Sequence, residues 1–287
     1  MKSDWRGLYT AMVTPFDARG AVDPGPLADF LAFQHESGVE GVVVGGTNGE
    51  GQSLSVVERM ALLEAVLGRR GALGVIAATG AASAIDAATL TRHASGAGAD
   101  AALVLPPFFF PEPESTGVAA ALRLALEASD IPVLLYHIPQ VARVGVTPAV
   151  ADQLEGHPRL AGIKDSSGCT ESIRAFSRRP GWQVYVGEDR LASRTAELGA
   201  AGVISGTANA FPELVAAAVK REAGAQERLD AVLDVIGKFP AFGANRAILR
   251  ASGFWLGPPR APLIALTAEQ ERELIDALRA LGVLRAP

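Results

Sequence analysis

The segment LAGIKDSSG, residues 160–168, is an apolar run that ends in Lys164 and continues into a small polar turn. A lysine that closes a buried strand is held at the mouth of an apolar cavity, where desolvation disfavours the ammonium form. A neutral amine can attack a ketone and form a Schiff base. A lysine at a strand end can equally extend its ammonium group to solvent, so this segment alone leaves both interpretations open.

Similar apolar runs recur along the whole chain. The predicted strands are residues 8–13, 41–44, 74–77, 101–105, 133–136, 161–164, 183–186 and 202–204. Near-continuous apolar runs are typical of parallel strands that are buried on both faces.

The segments between these strands have helical patterns. They are residues 26–37, 56–69, 83–95, 115–128, 148–154, 171–177, 190–198 and 213–220. Ser55 and Glu58 have the spacing of a capping box at one helix start, and Thr267 and Gln270 have it near the C-terminus. A series of β-then-α units over about 220 residues predicts an α/β fold, a (β/α)8 TIM barrel.

A doubly wound open sheet is the alternative fold. It would carry a G-x-G-x-x-G motif after the first strand, and none occurs there. The glycine-rich loop GGTNG, residues 45–49, follows the second strand instead. After about residue 223 only helical patterns remain, with no low-complexity linker. We therefore predict a catalytic barrel over residues 1–223 and a C-terminal helical extension, residues 224–287, that packs on it.

Composition excludes several classes of function. A net charge of −5 without a long basic run argues against a nucleic-acid partner. The 4 histidines have no metal-ligand spacing, and the lone Cys169 excludes an intramolecular disulfide and fits a reducing compartment. The N-terminus has no apolar signal core, and no apolar run reaches membrane-spanning length. We expect a cytoplasmic protein with no membrane segment.

Active sites of barrels form at the C-terminal ends of the strands. These ends carry Gly46, Thr47 and Asn48 after the second strand, Tyr136 at the fifth, Lys164 at the sixth, Gly187, Glu188 and Asp189 after the seventh, and Ile204 and Ser205 at the eighth. We predict that they form one site.

This set of side chains suits a 2-oxo acid substrate. Lys164 would attack the ketone, and the loop at Thr47 would hold the carboxylate with its backbone N–H groups and hydroxyl. Tyr136 would move protons during dehydration and C–C cleavage. Each residue also has a structural explanation: Asn48 favours tight turns, and a core tyrosine can bond to backbone. Because they occur together at the strand ends, we favour the catalytic role over the structural one.

Three motifs resemble the signatures of the dihydrodipicolinate synthase / N-acetylneuraminate lyase family. They are GTNGE at residues 46–50, YHIP at 136–139 and GIKD at 162–165, and the resemblance extends to ISGTAN at 204–209 and to the helical tail. Members of this family are pyruvate-dependent class I aldolases and related lyases. The resemblance implies that Lys164 forms the Schiff base, Tyr136 relays protons and Thr47 orients the carboxylate and the phenol. It also implies a homotetramer, a dimer of dimers, with no metal or organic cofactor.

Three positions depart from the synthases of this family. Those enzymes carry an arginine two residues after the proline of the tyrosine motif, where this chain has Val141, and Arg143 lies two residues further on. Asn48 replaces a second threonine in the glycine loop. Phe109 stands where the synthases borrow a tyrosine hydroxyl across the dimer interface. These losses argue against the lysine-biosynthetic reaction.

The sequence therefore predicts a Schiff-base lyase that makes or breaks a C–C bond next to pyruvate. The substrate we expect is a 2-keto-3-deoxy sugar acid or a similar hydroxylated 2-oxo acid, with Glu188, Asp189 and Ser205 at its hydroxyls. Helix capping is the alternative role for these three. The enzyme alternatives are a 4-hydroxy-tetrahydrodipicolinate synthase with a displaced arginine and a Schiff-base dehydratase or deaminase. A catalytically silent oxo-acid-binding barrel is the alternative from another class.

Overall fold

A computed structural model describes residues 6–110 and 112–284. Its strands form one closed parallel barrel in chain order, with β8 pairing back onto β1. They are β1 (Gly7–Ala11), β2 (Gly41–Val44), β3 (Gly74–Ala78), β4 (Ala101–Val104), β5 (Val133–His137), β6 (Leu160–Asp165), β7 (Gln183–Val186) and β8 (Gly202–Ser205). The predicted (β/α)8 barrel is confirmed, and the predicted strand ends agree with these bounds within one or two residues.

Helices follow the strands on the outside of the barrel. They are α1 (Leu27–Glu36), α2 (Val56–Leu67), α3 (Ala84–Ala97), α4 (Ser115–Glu127), α5 (Pro139–Ala142), α6 (Pro148–Leu154), α7 (Thr170–Ser177) and α8 (Pro212–Val219). The capping box of Ser55 and Glu58 at the start of α2 is present as predicted. The short helix α5, which begins with Pro139, was not among the predicted elements.

One predicted helix is wrong. The segment 190–198 forms a 3-10 helix over Asp189–Arg194 and then turns, with no α-helix. Both the backbone N–H and the hydroxyl of Thr195 bond to the carbonyl of Ala192, at 3.3 and 2.7 Å, which keeps the hydrogen bonds at i→i+3 spacing. The Asp189 and Glu188 side chains lie at its N-terminal end and favour a tight turn there.

The barrel interior is a packed core. Tyr9, Tyr136, Tyr185 and Ile204 belong to one buried cluster inside the strands. The rings of Tyr9 and Tyr185 meet edge to face, with centroids 5.8 Å apart. This packing closes the middle of the barrel and leaves the strand ends to carry polar groups.

The C-terminal segment contains α9 (Ala225–Ile236), α10 (Ala241–Ala251) and α11 (Ala268–Ala280). Their apolar faces share a buried cluster with Phe211, which follows β8. The capping box of Thr267 and Gln270 begins α11 as predicted. The division at residues 223 and 224 stays a prediction. Within the described part of the chain, no helix is long and apolar enough to cross a membrane.

Gly162 sits at an irregularity in β6 that sets the pairing with β5. Val133 pairs with Leu160, but Leu134 pairs with Gly162, so the register shifts by one residue. Gly162 has a φ of 147°. A Cβ there would lie 1.9 Å from the Gln183 carbonyl oxygen on β7. Only glycine allows this close approach of the two strands.

Gly162→Ala should lower the free energy of unfolding by about 1–3 kcal/mol or more, because the new methyl group overlaps the β7 backbone. The measurement is the urea midpoint with circular dichroism. Gly117→Ala is the matched control: it lies in α4 with no atom within 4 Å of the added Cβ, so it should stabilise by about 0.5–1 kcal/mol. Equal midpoints for both variants would contradict the role given to Gly162.

Candidate active site

Lys164 and Tyr136 face each other across the neighbouring strands β6 and β5. The two residues are register partners, and Lys164 Nζ lies 3.4 Å from Tyr136 Oη and 4.5 Å from the centre of its ring. Each residue is only 5% exposed. No carboxylate among the described residues forms an ion pair with Lys164. The amine is therefore a buried group whose neighbour is a phenol.

Thr47 extends this pair into a chain of three polar groups. Its Oγ1 lies 3.4 Å from Tyr136 Oη. Burial raises the pKa of Tyr136, but the Lys164 charge and hydrogen bonds with Thr47, Ser166 and Lys164 outweigh it, so this pKa lies below its usual value. A phenol of this kind exchanges its proton more readily than a tyrosine in water does.

The loop that carries Thr47 is curled into consecutive turns. Glu50 N donates to Thr47 O, and Gly51 N donates to Gly46 O, both at 3.0 Å. The backbone N–H groups of Thr47 and Asn48 have no hydrogen-bond partner among the described residues. Two free donors on one loop, beside a hydroxyl, are the kind of arrangement that binds a carboxylate.

Asn48 lies between the ends of β2 and β8. Its amide is close to Gly206, where a Cβ would lie 2.7 Å from Nδ2. Asn245 of α10 donates from Nδ2 to Asn48 Oδ1 at 3.4 Å. A residue of the C-terminal segment thus contacts the glycine loop directly.

Gly187 makes room for the lysine side chain at the end of β7. A Cβ at this position would lie 2.8 Å from Lys164 Cε and 1.9 Å from Ser166 Oγ. The Ser166 hydroxyl is buried close enough to Tyr136 to lower the pKa of that phenol, but it has no hydrogen-bond partner within normal geometry among the described residues. The predicted residue Gly187 is therefore next to the amine. Ser166 also lies there, although its place in a small polar turn did not mark it as a site residue.

Asp189 brings a buried carboxyl group to the same end of the barrel. Its Oδ2 accepts from Thr207 N at 3.2 Å, while Oδ1 is buried without a partner among the described residues. Burial raises the pKa of Asp189, although the Thr207 and Ser205 side chains and the Lys164 charge oppose this. An unpaired buried oxygen of this kind is costly unless a ligand supplies a donor.

Glu188, Ser205 and Ile204 have structural partners. Glu188 accepts from Arg190 N at 3.2 Å, and Ser205 Oγ accepts from Ala208 N at 3.0 Å, so both cap 3-10 turns. Ile204 packs in the barrel interior. These contacts correspond to the capping alternative for Glu188 and Ser205, whereas Asp189 keeps a free oxygen.

Two of the three departures from the synthases, Val141 and Phe109, lie outside the buried site. Val141 is 62% exposed and Phe109 is 87% exposed. Arg143 has a φ of 60° at the end of α5 and is exposed. Its backbone N–H donates to Pro139 O at 2.9 Å, and its side chain bonds to none of the described residues. No described element brings its guanidinium to Lys164.

His137 points away from the site, as its alternation with Tyr136 predicts. Its Nδ1 accepts from Val146 N at 3.0 Å, and its ring contacts Phe176 of α7 with centroids 6.2 Å apart. Burial lowers the pKa of His137, although Asp165 opposes this, which favours the neutral ring that this acceptor role needs. Over residues 6–110 and 112–284, no cluster of His, Cys, Asp or Glu has the makeup of a metal site.

Thr47→Val should raise the pKa of Tyr136, because the hydrogen bond from Thr47 holds it down. The measurement is an ultraviolet titration of tyrosinate. The chain has 3 tyrosines, so Tyr136→Phe identifies the signal of Tyr136. Thr89→Val is the control, since the Thr89 hydroxyl is exposed and bonds to Ile85 O within α3. A titration curve of Thr47→Val that matches Thr89→Val would contradict the Thr47–Tyr136 contact.

Comparison with known proteins places this geometry in a family. The model of the dihydrodipicolinate synthetase family matches residues 4–281. An uncharacterised DapA-like lyase of Chloroflexus aurantiacus is 40% identical over 96% of this chain and 95% of that protein. A 4-hydroxy-tetrahydrodipicolinate synthase of Synechococcus sp. is 37% identical over 96% and 94%.

Solved structures agree with these sequence relatives. A catalytic-lysine mutant of sialic acid aldolase from Ruminococcus gnavus has a TM-score of 0.91 at 28% identity, covering 98% of this chain and 97% of that one. Dihydrodipicolinate synthase of Cyanidioschyzon merolae with lysine bound has a TM-score of 0.88 at 28% identity, covering 98% and 99%. The chain belongs to the dihydrodipicolinate synthase / N-acetylneuraminate lyase family, whose members are pyruvate-dependent class I lyases.

Proposed function

We propose that Lys164 forms a Schiff base with the ketone of a 2-oxo acid and that Tyr136 and Thr47 handle its protons. The observation that carries this proposal is the continuous chain from Lys164 Nζ through Tyr136 Oη to Thr47 Oγ1, with 3.4 Å at each step. Nucleophile, proton carrier and orienting hydroxyl lie within reach of one reacting carbon.

Each step of a cleavage reaction has a group to perform it. The Lys164 amine adds to C2 of the substrate, and water leaves as the imine forms. The Tyr136 phenol gives its proton to the departing water and is left as a phenolate. The C3–C4 bond then breaks with its electron pair moving toward the imine, while the C4 hydroxyl gives its proton to this phenolate, which can return it to C3. Protonation at C3 and hydrolysis release pyruvate and free the amine, and the aldehyde is the second product. Condensation is the same sequence in reverse.

The carboxylate of the substrate is assigned to the glycine loop. The unpaired N–H groups of Thr47 and Asn48 belong to the same loop as the Thr47 hydroxyl. The Asn48 amide adds a neutral donor. Such donors stabilise an anion without introducing a second cation beside Lys164.

We further propose that the substrate is a hydroxylated 2-oxo acid, such as a 2-keto-3-deoxy sugar acid. Asp189 supports this substrate class because its buried Oδ1 lacks a donor that a sugar hydroxyl would supply. Gly187, Glu188, Ile204 and Ser205 shape the same end of the pocket. Val141, at the position where the synthases of the family carry the arginine for a distal carboxylate, is apolar and exposed.

The synthase reaction remains the second candidate. The specific observation in its favour is that the Synechococcus relative, at 37% identity, carries the synthase name. It would require Arg143 to turn inward from its exposed position at the end of α5. A Schiff-base dehydratase or deaminase and a silent oxo-acid-binding barrel are the further alternatives, and the silent barrel would give no reduced adduct with pyruvate.

We also propose a homotetramer, a dimer of dimers. Phe109 and Phe110 stand out from the loop after β4, 87% and 67% exposed, and form an edge-to-face pair with centroids 5.8 Å apart. Two neighbouring exposed aromatic side chains support burial against another copy of the chain. A hydroxyl from this loop is absent at Phe109, so protons would pass to water or to a substrate hydroxyl instead.

Borohydride with pyruvate should attach one reduced pyruvyl group per chain, and peptide mass mapping should place it on Lys164. The reason is that borohydride reduces the imine to a stable secondary amine, which keeps the pyruvyl group covalently on the lysine. Lys220 and Lys238 are exposed and serve as internal controls that should stay unmodified. Lys164→Met should abolish the adduct. An adduct on another lysine, or none in the wild type, would contradict the proposed chemistry.

Cleavage of 2-keto-3-deoxygluconate or an epimer should exceed aspartate-semialdehyde condensation in kcat/KM. Arg143→Ala should leave both rates near wild type, because this side chain is exposed. Val141→Arg should raise condensation about 10- to 100-fold, since hydrogen bonds to a charged group contribute about 1.5–3 kcal/mol. Efficient condensation that disappears in Arg143→Ala would instead support the synthase candidate.

A further inference from the structure

Glu50 directs a buried carboxylate away from the site and into the C-terminal segment. It lies at the end of the glycine loop with a left-handed φ of 52°, and its side chain is 1% exposed. Its backbone N–H donates to Thr47 O at 3.0 Å, so one turn joins it to the residue that contacts Tyr136. Movement of Glu50 would therefore move Thr47.

Arg246 of α10 is the partner of this carboxylate. Its side chain is 5% exposed, and both Nε, at 3.0 Å, and Nη2 donate to Glu50 Oε1. The second oxygen, Oε2, accepts from Arg260 N at 2.8 Å. Both oxygens of the Glu50 carboxylate are thus held by the segment that follows the barrel.

The remaining donors of Arg246 connect two further loops. Nη1 donates to the carbonyls of Leu256 and Gly257, at 2.5 and 3.1 Å, and Nη2 donates to Thr14 O at 2.9 Å. Thr14 in turn donates from Oγ1 to Gly49 O at 2.5 Å, beside Glu50. One planar guanidinium fixes the glycine loop, the loop after β1 and the segment after α10 together.

We propose that Arg246 is a positioning residue of the active site, which acts through Glu50 to hold Thr47 within hydrogen-bond distance of Tyr136. The C-terminal segment is then part of the catalytic apparatus. This inference rests on the proposed roles of Lys164, Tyr136 and Thr47. It is independent of which aldehyde or sugar acid the enzyme uses.

Arg246→Lys tests it, because an ammonium keeps the charge but cannot reach Glu50 and three carbonyls at once. The activity is exchange of the pyruvate methyl protons with D2O, followed by proton NMR, which needs the imine and proton transfer but no second substrate. We expect a loss of about 10- to 100-fold, since displacement by about 1 Å can cost that much. The borohydride-trapped fraction at equilibrium should stay close to wild type.

A second readout separates positioning from general loss of structure. The pKa of Tyr136 should rise in Arg246→Lys as it does in Thr47→Val, and the double variant should show no further rise or loss of exchange. Arg250→Lys is the control on the same helix, since Arg250 is exposed and pairs with Glu271. It should leave exchange and titration unchanged.

An unchanged Tyr136 titration in Arg246→Lys, or losses that multiply with those of Thr47→Val, would overturn the proposal. If Arg246→Lys fails to fold, the double variant Glu50→Gln with Arg246→Gln replaces it, because it leaves no unpaired buried charge. The same rise in the pKa of Tyr136 is expected in that variant. A failure of the proposed function would show differently, because the wild-type protein would then give no trapped adduct with pyruvate. In that case the Tyr136 titration would still test whether Arg246 holds Thr47 against Tyr136.

Discussion

The register of β6 against β5 is the constraint on which the whole site depends. The shift at Gly162 pairs Tyr136 with Lys164; without it, Val133 opposite Leu160 would bring Tyr136 opposite Ile163. A slip by one residue turns every side chain of a strand to its other face. The amine would then point into the helical layer, and the phenol would face an isoleucine. A glycine with no side chain thus decides where the nucleophile lies.

Burial around this pair explains its chemistry in physical terms. The Lys164 amine, the Tyr136 phenol and the Ser166 hydroxyl share one buried pocket, and the site holds few charges beyond the lysine. Asp189 is the exception, and burial raises the pKa of its carboxyl group, which favours the protonated form. The electrostatic forces in such a pocket are stronger than in water, so small displacements of Thr47 matter. This is why a distant guanidinium can influence the proton relay.

Much of the fold was predictable because local sequence patterns indicate most of its strands and helices. Apolar runs mark the strands, and the capping boxes at Ser55 and Thr267 mark helix starts without reference to the rest of the chain. The strand ends also predict where Lys164, Tyr136 and Thr47 lie relative to one another. The α-helix predicted after β7 was wrong because a 3-10 helix and an α-helix share the same short sequence pattern. The hydrogen bonds to Ala192 O that favour the 3-10 helix cannot be read from the sequence.

Other features were beyond sequence reasoning for a different reason. Glu50 and Arg246 are 196 positions apart, and an arginine on an amphipathic helix has the pattern of a solvent-exposed charge. The missing partner of Asp189 Oδ1 depends on where Thr207 places its N–H group. Val141 and Arg143 could be compared with the family pattern, but only the exposed end of α5 shows where their side chains lie.

A crystal structure of the wild-type enzyme soaked with pyruvate tests the central claim most directly. The account predicts continuous electron density from Lys164 Nζ to C2 of pyruvate, with the carboxylate against the N–H groups of Thr47 and Asn48. Tyr136 Oη should lie within hydrogen-bond distance of a polar group bonded to the imine carbon. Pyruvate bound without a covalent bond to Lys164, or bound away from the glycine loop, would contradict it.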